Sequence, residues 1–410
     1  MNTIVYYENH NGQYVTYDLD TNQLLEIDTL SKYKNRYCLT KPFTASHEGL
    51  VSFGERLMCD RNEIKHVIDI FESKFHSKKS GKTEHFYKTS NNIVLNFFKR
   101  NSQFSKVNSN ASEISMEEYN ISEQCYNAGI YYGEKMEVEA HSYDFRMFYP
   151  SILANKNFYF PTDCGEWYEF NEMPSAALCY GYYNCKIIVT NPNALKIFMP
   201  SKNNYYTHFD LQLALKLKQK YPDEVTIEPL GWCYIYENDA LQSGQKIFGA
   251  WYKKLVELKR DYPKNIVVKM LSSSLWGYLS AKNTFKIYEH EINESYDLAF
   301  DMDSISNTTT HVICDMTIRK NDECNNYTLL NVNKSPQKYN FRLKSFVTSF
   351  GRLHMLKTLY PVLDKIVKVN TDGFLITEEL RYTQDKSINL IYEGFNRYNI
   401  KSSQKSEIIN

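Results

Sequence analysis

Two aspartates and one lysine stand in settings suited to phosphate chemistry. Asp144 closes an apolar and aromatic run, Ser142-Tyr-Asp-Phe-Arg-Met-Phe-Tyr-Pro-Ser-Ile152, and a turn and short helix are expected after it. Asp372 lies in Ile366-Val-Lys-Val-Asn-Thr-Asp-Gly-Phe-Leu-Ile376. There two β-rich runs flank an Asp-Gly turn, the strongest hairpin signal in the chain. Lys269 opens Lys269-Met-Leu-Ser-Ser-Ser-Leu-Trp-Gly277, downstream of Lys253, Lys254, Lys259, Arg260 and Lys264. A carboxylate at a strand end can offer hard oxygen to a divalent cation. Helical spacing puts 260, 264 and 267–268 on one stripe with 269 beside it, a face able to hold a triphosphate. Taken singly, each feature has an ordinary alternative. Asp144 can cap a helix, Asp372 can support a turn, and the lysines can form a wet helix face.

The elements that would position these groups follow from pattern. Residues 1–115 read as a separate N-terminal region, with a hairpin around Asn11-Gly12 and a helix near 63–75. A basic stretch from Lys74 to Lys82 follows, and a Ser/Asn/Glu-rich linker is expected over 101–122. Beyond it the pattern becomes α+β. Thr207-His-Phe-Asp210 precedes an apolar-periodic run and reads as a helix start, with the threonine hydroxyl accepting an early N–H. Further helices are expected over 246–259 and 266–275.

Composition narrows the function classes. Hydrophobic residues at 42% and charged residues at 23% give a globular chain rather than a disordered one. Forty-eight basic residues match 48 acidic ones, so any polyanion site must be local. Nine scattered cysteines without a C-x-x-C pair argue against zinc and for free thiols in a reducing cytoplasm. The first residues lack a signal-peptide pattern, and no apolar run is long enough to span a membrane.

In combination the motifs resemble the three polymerase motifs of family B DNA polymerases, above all the protein-primed branch of phages, linear plasmids and mobile elements. The first family pattern, Asp-x-x-Ser-Leu-Tyr-Pro-Ser, is met by Asp144, Tyr149, Pro150 and Ser151, with Met147 and Phe148 differing. The second, Lys-x-x-x-Asn-Ser-x-Tyr-Gly, is met by Lys269, Ser274 and Gly277, with Ser273 for Asn and Trp276 for Tyr. The third, Asp-Thr-Asp-Ser, is met by Thr371 and Asp372, with Asn370 for the first acid and Gly373 for Ser. Tyr126-Asn-Ala-Gly129 looks like the family's Tyr-x-Gly-Gly/Ala element, and Thr348-Ser-Phe-Gly351-Arg352 like its Thr-x-x-Gly-Arg element. The resemblance covers roughly 120–380.

The resemblance implies a polymerase palm, an antiparallel sheet with helices, plus helical fingers, over 116–385. A small N-terminal region precedes it, and a short tail or residual thumb follows over 386–410. It implies template-directed transfer of dNTPs onto a DNA template-primer, with two Mg²⁺ ions (Mn²⁺ as a substitute) and a terminal protein as primer. Asp144 and Asp372 would be catalytic and hold metal, with the Phe145 carbonyl as a further oxygen. Tyr149, Arg260, Lys264, Lys269, Ser273 and Trp276 would meet the nucleotide. Tyr126, Gly129, Ser274, Gly277, Thr348 and Arg352 would meet DNA. Asn370 removes one acid and weakens the local field on a cation.

Residues 1–115 offer only Asp18-Leu-Asp20 toward exonuclease chemistry, so no 3′–5′ exonuclease is expected. No Lys-x-Tyr thumb motif follows Asp372, and 278–345 stands where protein-primed members carry an insertion. Two readings remain: a compact DNA polymerase working in the host cytoplasm, or a palm-like protein of weak or no activity that binds DNA or is completed by a partner. A metal-dependent nuclease would need more carboxylates than these motifs supply.

Overall fold

The computed structural model describes the chain mainly over 90–275, 341–380 and 390–402, together with strands between 4 and 38, between 284 and 331, and at 406–408. The architecture is α+β, as the patterns predict, with mainly antiparallel strand pairing. The chain divides into two units. One comprises Met1–Phe104 with Phe248–Tyr278, the other Ser105–Ile247 with Leu279–Asn410.

In the first unit, Ile4–Glu8 and Tyr14–Asp18 pair antiparallel, the hairpin expected around Asn11-Gly12. The helix expected at 63–75 and the basic stretch 74–82 lie outside the described residues. The helix Ser90–Asn101 buries Val94, Phe97 and Phe98, spaced as one helical face. Phe98 stacks on Phe248 at 5.5 Å and meets the Trp251 indole edge-on at 5.7 Å. The helix Gly244–Asp261 buries Phe248, Trp251, Leu255 and Leu258, and leaves Lys253, Lys254 and Arg260 exposed. A second helix, Ile266–Ser273, follows. The break falls around Pro263, which cannot donate an i→i−4 bond. The basic stripe expected through 260, 264 and 267–268, with 269 beside it, is therefore corrected: Arg260 and Lys269 ride on separate helices.

The second unit holds a six-stranded antiparallel sheet in the order Ser406–Ile408, Leu390–Ile400, Met136–Phe145, Gly373–Ile376, Ile366–Asn370, Tyr131–Gly133. A four-stranded sheet runs Tyr205–Thr207, Gly181–Val189, Val225–Ile235, Glu166–Phe170. Within the segment 278–345, four strands form another sheet with the central pair His311–Thr317 and Asn326–Asn331.

The core of this unit is the helix Phe341–Leu359, packed against the helices His208–Lys220, Phe148–Leu153 and Met116–Gln124. It is buried almost all round, its polar members Arg342, Thr348, Ser349 and Arg352 included. Phe346 stacks on Tyr182 at 4.8 Å, and Phe350 meets Phe209 at 4.7 Å. Buried ring pairs of this kind add to the area they remove from water.

The linker expected at 101–122 is corrected. Helices Phe104–Asn108 and Met116–Gln124 occupy it. Ser115 caps the second, its hydroxyl accepting from the Glu118 N–H at 3.1 Å. Few apolar residues suffice there because Ile114, Tyr119 and Ile121 are all buried. Glu118 is also wholly buried, paired with Arg342 (Nη2 to Oε2, 2.8 Å) and accepting from the Tyr236 hydroxyl at 2.6 Å.

Candidate active site

Asp144 is the penultimate residue of the strand Met136–Phe145, where it is half-buried. Directly opposite on the next strand is Gly373. Asp372 is the exposed residue just before it, and its carbonyl accepts the Phe145 N–H at 2.8 Å. The two acids therefore occupy adjacent strand ends, linked through the backbone. Gly373 matters sterically, since a Cβ there would lie 3.2 Å from Asp144 Oδ1. Asn370 pairs across from Gly373, so sheet alternation puts Asn370 and Asp144 on the same face.

The hairpin turns one residue earlier than the Asp-Gly pattern predicts. Its loop is Thr371–Asp372, and Gly373 already belongs to the returning strand. Thr371 takes φ 55°, a left-handed conformation that costs a β-branched residue about 1–2 kcal/mol. Tertiary contacts hold it there. The Thr371 N–H donates to the Ile130 carbonyl at 2.8 Å, and its side chain fills the space left by Gly129. The Thr371 hydroxyl is buried without a hydrogen-bond partner. The turn after Asp144 also contains a left-handed residue, Met147, which precedes the helix Phe148–Leu153.

Tyr149, on that short helix, is half-buried, and burial pushes its phenol above the ordinary tyrosine range. Arg352, Asp372, Tyr126 and Tyr131 share its electrostatic surroundings. Gly351 faces the same helix: a Cβ there would approach Phe148 at 3.2 Å, Ile152 at 3.3 Å and Tyr149 at 3.5 Å. The glycine lets the two helices close on each other. The Phe145 ring is buried against Phe148 and His354.

Thr348 and Arg352, expected on nucleic acid, are both buried. The Thr348 hydroxyl donates back to the carbonyls of Lys344 and Ser345 within its own helix. Arg352 bonds Asp210 at both oxygens (2.8 and 3.0 Å) and donates to the carbonyls of Asn127 and Ala128 at 2.7 and 2.6 Å. An arginine fork engaged on a carboxylate and two carbonyls has spent its bonding geometry. Gly129 is likewise buried, behind Thr371. Tyr126 remains half-exposed, its ring under the Lys344 ammonium at 4.1 Å, and Lys344 also pairs with Glu123.

The remaining expected residues belong to the first unit. Lys269 is exposed on Ile266–Ser273, and its carbonyl accepts from the hydroxyls of Ser272 and Ser273. Arg260 is exposed and pairs with Asp261. Ser274 lies at the end of that helix. Lys264, Trp276 and Gly277 lie outside the described residues.

Asp210 is a partner for arginine that its local sequence does not mark. Its signal, Thr-x-x-Asp, appears as the predicted helix start: Thr207 caps His208–Lys220, its hydroxyl accepting the Asp210 N–H. Nothing local indicated that the carboxylate would meet Arg352.

Among the described residues no group of three or more His, Cys, Asp or Glu side chains is arranged to hold a metal ion, and no helix is long and apolar enough to cross a membrane.

No protein-family model and no curated protein matches the sequence. Solved structures do match. Phi29 DNA polymerase complexed with single-stranded DNA superposes with a TM-score of 0.55 at 13% identity, over 83% of this chain and 55% of that one. The same polymerase complexed with primer-template DNA and incoming nucleotide substrates gives a TM-score of 0.56 at 11% identity, over 83% and 57%. Its orthorhombic crystal form gives 0.56 at 12%, over 84% and 57%. The chain thus spans just over half the length of the polymerase chains it matches, and what it shares with them is a DNA-polymerase-like fold.

Proposed function

We propose that this chain is a DNA-directed DNA polymerase of the family B type, extending a DNA primer or a terminal protein on a template in the replication of a viral or plasmid genome. The observation that carries the reading is the juxtaposition of Asp144 and Asp372 at neighbouring strand ends, joined by the Phe145 N–H to the Asp372 carbonyl. The likeness of fold to a polymerase structure holding primer-template DNA and incoming nucleotides supports the same reading.

The donor set suits Mg²⁺. Asp144 and Asp372 supply carboxylate oxygens, a backbone carbonyl such as that of Phe145 supplies another, and Mg²⁺ keeps waters and substrate phosphates for the rest. Two such ions, with Mn²⁺ as a substitute, would activate the primer hydroxyl and neutralise charge on the leaving pyrophosphate. Asp144 and Asp372 hold the α-phosphate's surroundings in place for in-line attack. The Tyr149 ring, packed over Gly351, takes the position under the sugar. Lys269, with Arg260 and Lys264, is assigned to the triphosphate on the strength of the sequence motif. In this reading the six-stranded sheet is the palm and the helices of 244–275 are the fingers.

Asn370 favours a second reading, since a neutral amide on the face of Asp144 weakens cation binding. There the chain is a weakly active or inactive palm protein that binds DNA or is completed by a partner. Incorporation of one labelled deoxynucleotide on a primed template, with Mg²⁺ or Mn²⁺, separates the two. Activity that survives undiminished in Asp372→Asn would overturn the assignment of the site.

A further inference from the structure

The two elements flanking the motif residues, 126–129 and 348–352, meet within the second unit through a buried arginine. Arg352 joins them, and its partner Asp210 is only 4% exposed. Three links then run without a gap. Asp210 engages Arg352 through both carboxylate oxygens and is itself held by the Thr207 hydroxyl at 3.0 Å. Arg352 fixes the carbonyls of Asn127 and Ala128. The next two residues hold the hairpin loop: Gly129 leaves room for the Thr371 side chain, and the Ile130 carbonyl accepts the Thr371 N–H.

The hairpin loop needs such support. Thr371 sits at φ 55° with its hydroxyl buried and unsatisfied. A threonine released from these contacts would return to negative φ, because its branched Cβ disfavours the left-handed region. Asp372 is the next residue, so that return would shift it relative to Asp144. Strain of this kind persists only where the surroundings over-determine it.

We propose that Asp210 is a positioning residue for the acid-bearing hairpin, acting through Arg352 and the 127–130 loop to hold Thr371 left-handed and Asp372 beside Asp144. This inference rests on the polymerase reading for its catalytic consequence, but not for its structural one. Asp210 touches neither DNA nor nucleotide in this scheme.

The test compares Asp210→Asn and Arg352→Lys with Glu118→Gln in the full-length chain. Glu118→Gln disturbs a second buried arginine pair of the described residues, against Arg342, and serves as a control for general destabilisation. Hydrogen exchange is followed in peptides covering 366–376, and single-nucleotide incorporation is measured with kcat and the KM for dNTP taken separately. We expect Asp210→Asn and Arg352→Lys to speed exchange at 371–374 and to lower kcat by about 10- to 100-fold, the scale of a misplaced catalytic group, with KM little changed. Thr371→Gly placed on Asp210→Asn should restore part of the lost kcat, since glycine takes positive φ unaided. Equal exchange and kcat in all three variants, or an unchanged hairpin in both Asp210→Asn and Arg352→Lys, would overturn the proposal. Should Asp210→Asn fail to fold, Arg352→Lys decides, because a lysine keeps the charge but cannot span one carboxylate and two carbonyls. If the unaltered chain incorporates no nucleotide, the polymerase reading fails on its own, and hydrogen exchange still decides the positioning role.

Discussion

Gly129 and Thr371 interlock: a Cβ added at Gly129 would lie 2.8 Å from both the methyl and the hydroxyl of Thr371, and 3.1 Å from its Cβ. The threonine is branched at that carbon and cannot swing clear. Gly129→Ala should therefore displace the hairpin loop and lower nucleotide incorporation by about 10-fold or more, a geometric penalty larger than its effect on melting temperature. Gly129→Ala combined with Thr371→Gly should recover activity, because the double variant restores the space. A double-mutant cycle in kcat checks this, and strictly additive losses would refute it.

Asn370 faces the same side of the sheet as Asp144. Asn370→Asp adds a negative charge beside the proposed cation site. The half-saturating Mn²⁺ or Mg²⁺ concentration for primer extension should fall several-fold. A titration in which it rises or stays fixed would place the cation away from this hairpin.

Tyr149 packs over Gly351, and burial pushes its phenol above the ordinary tyrosine range. If its ring lies under the sugar, Tyr149→Ala should open space for a 2′-hydroxyl and raise ribonucleotide use relative to deoxynucleotide use by at least about 10-fold, or about 1.4 kcal/mol of discrimination. Competition between labelled dNTP and the matching rNTP gives the ratio directly.

His208 is buried among Tyr180, Phe209 and Phe346, and burial lowers its pKa to about 3. Its Nδ1 accepts the Gly181 N–H, which requires the neutral ring. The folded state thus binds the proton less readily than the unfolded chain, whose histidine titrates near 6.5. Stability is unaffected by this group above about pH 6.5, falls as pH drops below it by up to ~1.4 kcal/mol per unit, and levels off near the folded pKa. Urea denaturation between pH 4 and 7 should show a shallower acid loss for His208→Gln than for the unaltered chain.

Glu118 and Arg342 are wholly buried, and Arg342 also bonds the Ser112 carbonyl at 3.0 Å. Arg342→Ala strands the carboxylate with the Tyr236 hydroxyl alone, which should cost about 3–5 kcal/mol. Replacing both charges by apolar residues of similar volume should cost much less, since no ion is then left unpaired. Chemical denaturation of the two variants separates the outcomes.

Much of the local structure was legible because local chemistry decides it. The Thr207 cap, the strand ending at Asp144 with its short following helix, and the helices over 244–261 and 266–273 follow from capping residues, aromatic runs and 3.6-residue periodicity. The three motifs likewise pointed to Asp144 and Asp372, although no short-range signal joins residues so far apart in the chain. Their meeting is a matter of sheet order. The register that sets Gly373 opposite Asp144 is fixed by which side chains each strand must bury.

Tertiary structure alone decided the fate of Arg352, Thr348 and Gly129. The family resemblance put Arg352 on nucleic acid, while in the fold Asp210 and two loop carbonyls engage its donors. It also decided the turn. The Asp-Gly pair favours its own loop, but the Ile130 carbonyl and the cavity at Gly129 hold Thr371 instead, moving the loop one residue earlier. Sequence thus set which elements form and which residues carry chemistry. Packing set which of those residues face outward, because buried hydrogen-bond donors and acceptors must find partners wherever the fold supplies them.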